Sequence, residues 1–316
     1  MAGLSDPFLL LAHHNHAFYP LDPFRPISNL LLPEGFPSHP HRGFQTVTYV
    51  MEGGMVHRDN LGVKQTYGAG SVQVLDAGSG LMHEEMWSID PWKRTGIEIY
   101  QLWVNLPAQH KMSKARIQLL GEGTDTPLPR VTLPSKAEVV VIAGEVAGQR
   151  SPSALHRTPL SILHVTVQPG GHFEHPLPRH HTCLVYVRKG DMTVKGGGDS
   201  DSDSTRPAAQ RSLESSSSGG AAVATHCMAW LGGSGDAVLL ANEGNSELDF
   251  LLLEGEPLGE PRAAGGSFVM NTPQEIGQAY EDYNRGFFGA PWDHKLSDED
   301  WLSVVRRNRR GDSEPQ

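Results

Sequence analysis

At 316 residues, the chain exceeds what one ordinary domain needs and is long enough to bury two cores of roughly 100 to 150 residues each. A formal net charge of -10 repels phosphate backbones, so direct nucleic-acid binding is excluded as the expected role and any nuclear role has to run through a protein partner. Two cysteines, Cys183 and Cys227, cannot build the disulfide framework of a small secreted fold, and no apolar run approaches the roughly 20 residues that span a bilayer. The apolar run at 7–12 follows Asp6 and lacks the basic start of a signal peptide, so a soluble, cytoplasmic chain is expected, with the nucleus as the alternative.

Glycine (35) and proline (23) punctuate short β-branched and aromatic runs, the pattern of an all-β chain with many tight turns. Strands are predicted at 45–50, 72–75, 97–104, 139–142, 162–167, 182–187, 237–241 and 248–253. Ile97 and Ile99 alternate with Glu98 and Tyr100, the period of a strand with one face in a core. From Gly196 to Ala224 the chain is mostly Gly, Ser, Asp and Ala, and it reads as a disordered insertion between strands. Helices are few and late. Thr272-Pro273-Gln274-Glu275 supplies an N-cap hydroxyl, a proline at the first helical position and a capping-box carboxylate, and Ile276, Ala279, Tyr280 and Tyr283 then share one face. Ser297 to Asp300 opens a weaker helical segment through Trp301, Val304 and Val305. Arg306, Arg307, Arg309 and Arg310 follow as a solvated basic tail, with a nuclear-import signal as the sharper alternative.

The chemistry concentrates in two short stretches. In Phe36-Pro37-Ser38-His39-Pro40-His41-Arg42-Gly43-Phe44-Gln45, residues two apart share a face of extended backbone, so His39 and His41 aim both imidazoles at one point. Gly78 to Met86 repeats the device, with His83 and Glu85 sharing a face and Glu84 pointing away. Each pair alone is weak evidence, because two histidines in this spacing are more often surface or core residues. Together, three imidazoles and one carboxylate beside strands make a ligand set for a non-haem metal. The other histidines read as bland. His13, His14 and His16 precede the motif as a surface trio, and His57 either supports a ligand from behind or simply ends a strand, with the structural reading favoured.

The stretches His39 to Phe44, Tyr49 to Gly54, His57-Arg58-Asp59 and Gly78 to Met86 resemble the hallmark of the pirin family. Gln101 to Pro107, Val141 to Glu145, Pro257 to Pro261 and Phe268 to Thr272 resemble further pirin segments in the same order. The resemblance implies two cupin barrels of jelly-roll type. The expected division is a metal-binding domain at 1–134, a second cupin domain at 135–290 carrying the insertion 196–224, and a tail at 291–316. It implies one Fe(2+) per chain, on His39, His41, His83 and Glu85, and none in the second barrel. A weak internal duplication agrees, because Tyr49 to Met55 and Tyr186 to Met192 look like corresponding turns. Counting back from each Tyr, the places of His39 and His41 are taken by Pro176 and Pro178, which cannot ligate, and His172, His175, His180 and His181 do not reproduce the first pattern. The activity implied is quercetin (flavonol) 2,3-dioxygenase, which takes a flavonol and dioxygen and opens the ring with loss of carbon monoxide. The alternative is an iron-dependent redox-sensing transcriptional co-regulator acting through a transcription-factor partner. Gln45 departs from the family, which usually carries glutamate there, so any mechanism that needs a base at that position is in doubt.

Overall fold

The computed structural model describes residues 4–20, 22, 25, 33–195, 220–231 and 236–310. Its contacts divide the chain into two units, one built from Phe8–Pro127 with the chain from Leu258 onward, the other from Leu128–Pro257 with the residues just before Phe8. Both units are antiparallel β structures of two facing sheets.

The first unit contains β1 (Phe8–Phe18), β2 (Gly35–His41), β3 (Phe44–Glu52), β4 (Gly54–Asp59), β5 (Lys64–Gly68), β6 (Ser71–Asp76), β7 (Leu81–Trp87), β8 (Thr95–Asn105) and β9 (Arg116–Gly121). One sheet runs β1-β8-β3-β6-β9 and the other β2-β7-β4-β5. The second unit contains β10 (Arg130–Thr132), β11 (Ala137–Ala143), the short pair β12 (Glu145–Val146) and β13 (Gln149–Arg150), β14 (Leu160–Val167), β15 (His172–Pro176), β16 (Thr182–Lys189), β17 (Met192–Lys195), β18 (Ala221–Val223), β19 (Met228–Leu231), β20 (Ala237–Ala241) and β21 (Leu248–Gly255). Its sheets run β10-β11-β14-β21-β16-β19 and β15-β20-β17-β18.

The two orders match over eight strands of each unit, with β9, β10 and β11 outside the match. The series β1-β8-β3-β6 becomes β14-β21-β16-β19, and β2-β7-β4-β5 becomes β15-β20-β17-β18. The turns that follow Tyr49 and Tyr186 are corresponding ones, and both need a left-handed glycine, Gly53 at φ 81° and Gly190 at φ 76°. The expected all-β architecture of two cupin barrels is therefore present, and every predicted strand lies within an observed one.

The chain after the second unit behaves differently from the expectation. β22 (Ala263–Gly265), β23 (Phe268–Met270), α1 (Pro273–Asn284) and α2 (Asp298–Arg310) group with the first unit, rather than as the end of a domain at 135–290 and a tail at 291–316. The reason is apolar burial. Phe268, Ala279, Phe288, Trp292, Trp301 and Val305 form a core with Met82 of β7, and removing such side chains from water is the main stabilising term available to a short helical segment. Charges secure it. Arg42 donates to Asp282 at 2.7 Å and lies 4.7 Å from the centre of the Phe288 ring, and Arg58 donates to the Leu296 and His294 carbonyls at 2.9 Å. The capping box predicted at Thr272 forms in full, with Glu275 N donating to Thr272 Oγ1 and Thr272 N to the Glu275 carboxylate.

Of the expected insertion 196–224, residues 196–219 lie outside the described residues, and the last part is strand. β18 pairs with β17, Met192 opposite Val223, so the insertion joins two neighbouring strands of one sheet.

Candidate metal centre

The centre is built by the pairing of β2 with β7. Phe36 stands opposite Glu85, the register then shifts, and His39 stands opposite His83. This bulge re-aims the end of β2, so that His39 and His41 share a face with His83 across the ladder. The three rings lie 4.5 to 4.8 Å apart, centroid to centroid. Their ligand nitrogens all lie within 4.8 Å of one another, the one such group among the described residues. His83 is fully buried and His41 is 2% exposed, whereas His39 is partly exposed.

The protonation pattern follows from the surroundings. His39 Nδ1 donates to the Pro37 carbonyl at 2.7 Å, which leaves the lone pair on Nε2, 3.1 Å from His41 Nε2. Behind His83, Asp59 is fixed by the backbone amides of Leu61 and Val63 and stands 3.2 Å from His57 Nε2. With that nitrogen donating to Asp59, His57 Nδ1 accepts from His83 Nδ1 at 3.4 Å, and the His83 lone pair is turned to Nε2. His83 Nε2 is a buried atom without a hydrogen-bond partner.

Burial, and then the neighbouring imidazoles, hold His41 and His83 well below the ordinary imidazole range, so both are neutral at pH 7. Leaving a buried nitrogen unsatisfied costs about 1 to 3 kcal/mol. Converging neutral imidazoles with buried lone pairs fit a transition-metal ion, which would take those lone pairs.

Glu85 lies on the same face of β7, but its carboxylate is not drawn into the trio. It accepts from Gln101 Nε2 at 2.7 Å, Thr48 Oγ1 at 3.2 Å and Tyr67 Oη at 3.4 Å. Burial and Glu85 push the Tyr67 hydroxyl well above its usual range, so it stays protonated and donates. Glu84 lies on the opposite face, paired with Arg58.

Gln45 also faces away. On β3, Thr46 and Thr48 stand opposite Trp103 and Gln101, on the face that carries Glu85, whereas Gln45 stands opposite Val104 and Asp76 on the other face. A base at position 45 is therefore not aimed at the imidazoles.

Of the histidine trio of β1, His16 is exposed as expected, but His13 and His14 are half-buried. Pairing with β8 sets His14 opposite Ile99, on the inner face, with its ring 5.3 Å from Phe36 and 5.8 Å from Trp87. His13 turns outward, stacked 4.3 Å from Tyr100 and bonded to Glu98. His57, read as a strand end, supports His83 from behind. In the second unit, His181 bonds Glu254, and His175 stands 3.8 Å from the same carboxylate.

Two family models match, pirin over residues 2–104 and the pirin C-terminal cupin domain over residues 162–289. Human pirin is 36% identical over 84% of this chain and 82% of its own length. The chain belongs to the pirin family. A Pseudomonas aeruginosa protein provisionally named quercetin 2,3-dioxygenase is 37% identical over 89% of the chain and 86% of its own length. The solved structure of a quercetin 2,3-dioxygenase from Acinetobacter baumannii superposes with a TM-score of 0.73 at 32% identity, covering 91% of this chain and 88% of that one. Within this family frame, Thr48, Tyr67, Gln101 and Asp59 were missed as site residues. The period of two would have placed Thr48 and Gln101 beside Glu85, had the β3–β8 register been known.

Proposed function

We propose that this pirin-family chain is an iron-dependent dioxygenase that opens flavonols such as quercetin, with Fe(2+) held by His39, His41, His83 and Glu85. The observation that carries this reading is the buried convergence of three imidazoles, two of them held neutral, with His83 Nε2 buried and without a hydrogen-bond partner. Iron(II) held there supplies Lewis acidity and one-electron chemistry toward dioxygen. The chain's own part is to hold and to shield. Asp59 and His57 orient His83, the Pro37 carbonyl orients His39, and Thr48, Tyr67 and Gln101 hold the Glu85 carboxylate in position. Burial of His41, His83 and Glu85 excludes the water that would compete with substrate. The names of the relatives support the substrate class.

The test is dioxygen uptake by purified protein loaded with Fe(2+) under nitrogen and then offered a flavonol panel. Uptake matched by flavonol loss and carbon monoxide release is expected, and His83→Ala should abolish it. No uptake across the panel by fully loaded protein would overturn the reading and favour a redox-sensing co-regulator that works through a transcription-factor partner.

A further inference from the structure

Exposure across the cluster marks the way in. His83 and Glu85 are fully buried and His41 nearly so, but His39 is partly exposed, and the surface beyond it is aromatic. The Phe36 ring lies 6.5 Å from His39, Trp87 5.3 Å from Phe36, and His14 within 5.3 to 5.8 Å of both. The Phe36 and Trp87 planes meet at 73°, and all three outer rings are partly exposed.

These rings are fixed from behind. Trp87 packs on the buried cluster of Val50, Met55, Tyr67, Ile97 and Ile99. β1 holds His14 on the inner face, with Ala12 next to it opposite Gln101, the residue that bonds Glu85. A planar aromatic guest can lie flat on one such ring and edge-on to the other, the two arrangements that aromatic quadrupoles favour. His14 adds a polar handle at the same place.

We propose that Phe36, Trp87 and His14 form the seat of a planar phenolic substrate, the first two gripping its aromatic plane and His14 receiving the proton of its acidic hydroxyl. This rests on the flavonol reading above and extends it to residues that bind substrate without touching metal. Burial and then the neighbouring His16 and His13 lower His14 below the ordinary imidazole range, against the opposing charge of Glu85, so it is a neutral acceptor at pH 7. Those are the ionisable groups that act on it. His16 lies on its own strand and Glu85 on β7, while His13 points to the other face. In the transfer the hydroxyl O–H bond breaks, its electron pair stays on the substrate oxygen, and the proton passes to the imidazole.

The experiment titrates iron-loaded, full-length protein under nitrogen with a flavonol and with the matched flavone that lacks the 3-hydroxyl. Wild type is expected to prefer the flavonol about tenfold, the worth of one hydrogen bond of ordinary net strength. His14→Phe, which keeps a ring, should erase that preference yet still bind the flavone, and Trp87→Ala should weaken both ligands about tenfold. His14→Gln, which accepts a hydrogen bond but no proton, should keep part of the preference and lose the absorbance shift of the ionised flavonol at pH 7. Equal binding of the two ligands by wild type, or unchanged binding in His14→Phe and Trp87→Ala at wild-type iron content, overturns the seat. The two readings fail separately. Dioxygen uptake with unaltered kinetics in both variants sinks the seat alone, and tight His14-dependent binding without uptake sinks the dioxygenase and leaves the seat.

Discussion

The two units share a strand order and differ in what that order encloses. In the first, β7 carries His83 and Glu85 inward, and β3 and β8 present Thr48 and Gln101 to hold the carboxylate. In the second, the corresponding strand β20 turns Val238 and Leu240 inward, and the positions that match Thr48 and Gln101 by register are Val185 and Leu252, both fully buried in one apolar core. Ligand strand and supporting strands have changed together. A carboxylate left among Val and Leu would cost several kcal/mol, and unpaired Thr and Gln side chains would be penalised in turn, so a half-converted barrel is less stable than either pure one. The scaffold is indifferent to the choice, and function lives in the inward residues.

The largest effect expected of a single change falls on the trio itself. His41→Ala removes one imidazole and should strip most of the iron that the proposal places there, and with it any turnover, whereas His175→Ala in the second unit should leave the iron content at the wild-type level. Elemental analysis of both proteins decides this, and equal iron in His41→Ala and wild type would remove the metal assignment. The next effect is structural and lies in the other barrel. Leu252→Gln puts into the apolar core the residue type that the first barrel uses, without a carboxylate to receive it. A loss of about 3 kcal/mol is expected from lost packing plus an unsatisfied amide, read as a lower urea midpoint at unchanged iron content.

The reciprocal exchange, Gln101→Leu, gives the first barrel the second's residue. Glu85 then loses its 2.7 Å donor, and a fall of roughly 10- to 100-fold in metal affinity is expected, the usual cost of deleting a group that orients a ligand. Competition with a chelator measures it, and an unchanged midpoint would show that Thr48 and Tyr67 suffice.

How far these contrasts could be read from the chain depends on how local each one is. The pairs His39/His41 and His83/Glu85 were legible because two-residue spacing alone puts them on one face, and the capping box at Thr272 because it spans four residues. The place of the chain after Leu258 was not, since the burial of Trp292 and Trp301 is decided by Met82 and its neighbours, some two hundred residues away. His14 was misread as a surface residue, and the direction of Gln45 was not legible, for the same reason. Which way each one points is set by the pairing with β8, and a register error of one residue reverses every side chain.

A smaller effect concerns the polar end of the second barrel, where Glu254 sits beside His181, Ser161 and, at 3.8 Å, His175. Burial raises the Glu254 pKa, but these partners outweigh it and bring it down from 4.5 to about 2. A depressed carboxyl contributes stability above its unfolded value that is lost as pH falls through the folded one. Glu254→Gln should therefore melt lower than wild type at pH 7, with the gap narrowing from about pH 4.5 downward. A gap that stayed constant from pH 7 to pH 3 would count against the assignment.

The smallest effect expected is at Gln45, the position where this chain leaves the family's usual glutamate. Were a base there needed to ionise the substrate, Gln45→Glu would raise turnover by the roughly 10²- to 10⁴-fold typical of a positioned general base. The register argues against it, because Gln45 stands with Val104 and Asp76 on the face of β3 opposite to Thr46 and Thr48. A glutamate at 45 would face the buried Asp76, whose Arg116 partner stands 3.5 Å away. Because Gln45 and Asp76 are both buried, the new carboxyl is expected to stay protonated rather than leave two charges side by side, which keeps the loss of stability modest. The expected result is a slightly lower melting temperature with unchanged iron content, and a turnover and pH profile within about twofold of wild type. The same assay on His14→Gln should show the larger kinetic defect, because the inner face of β1, not the outer face of β3, meets the path to the imidazoles. A large gain in turnover from Gln45→Glu would reverse that ordering and put the proton acceptor back on β3.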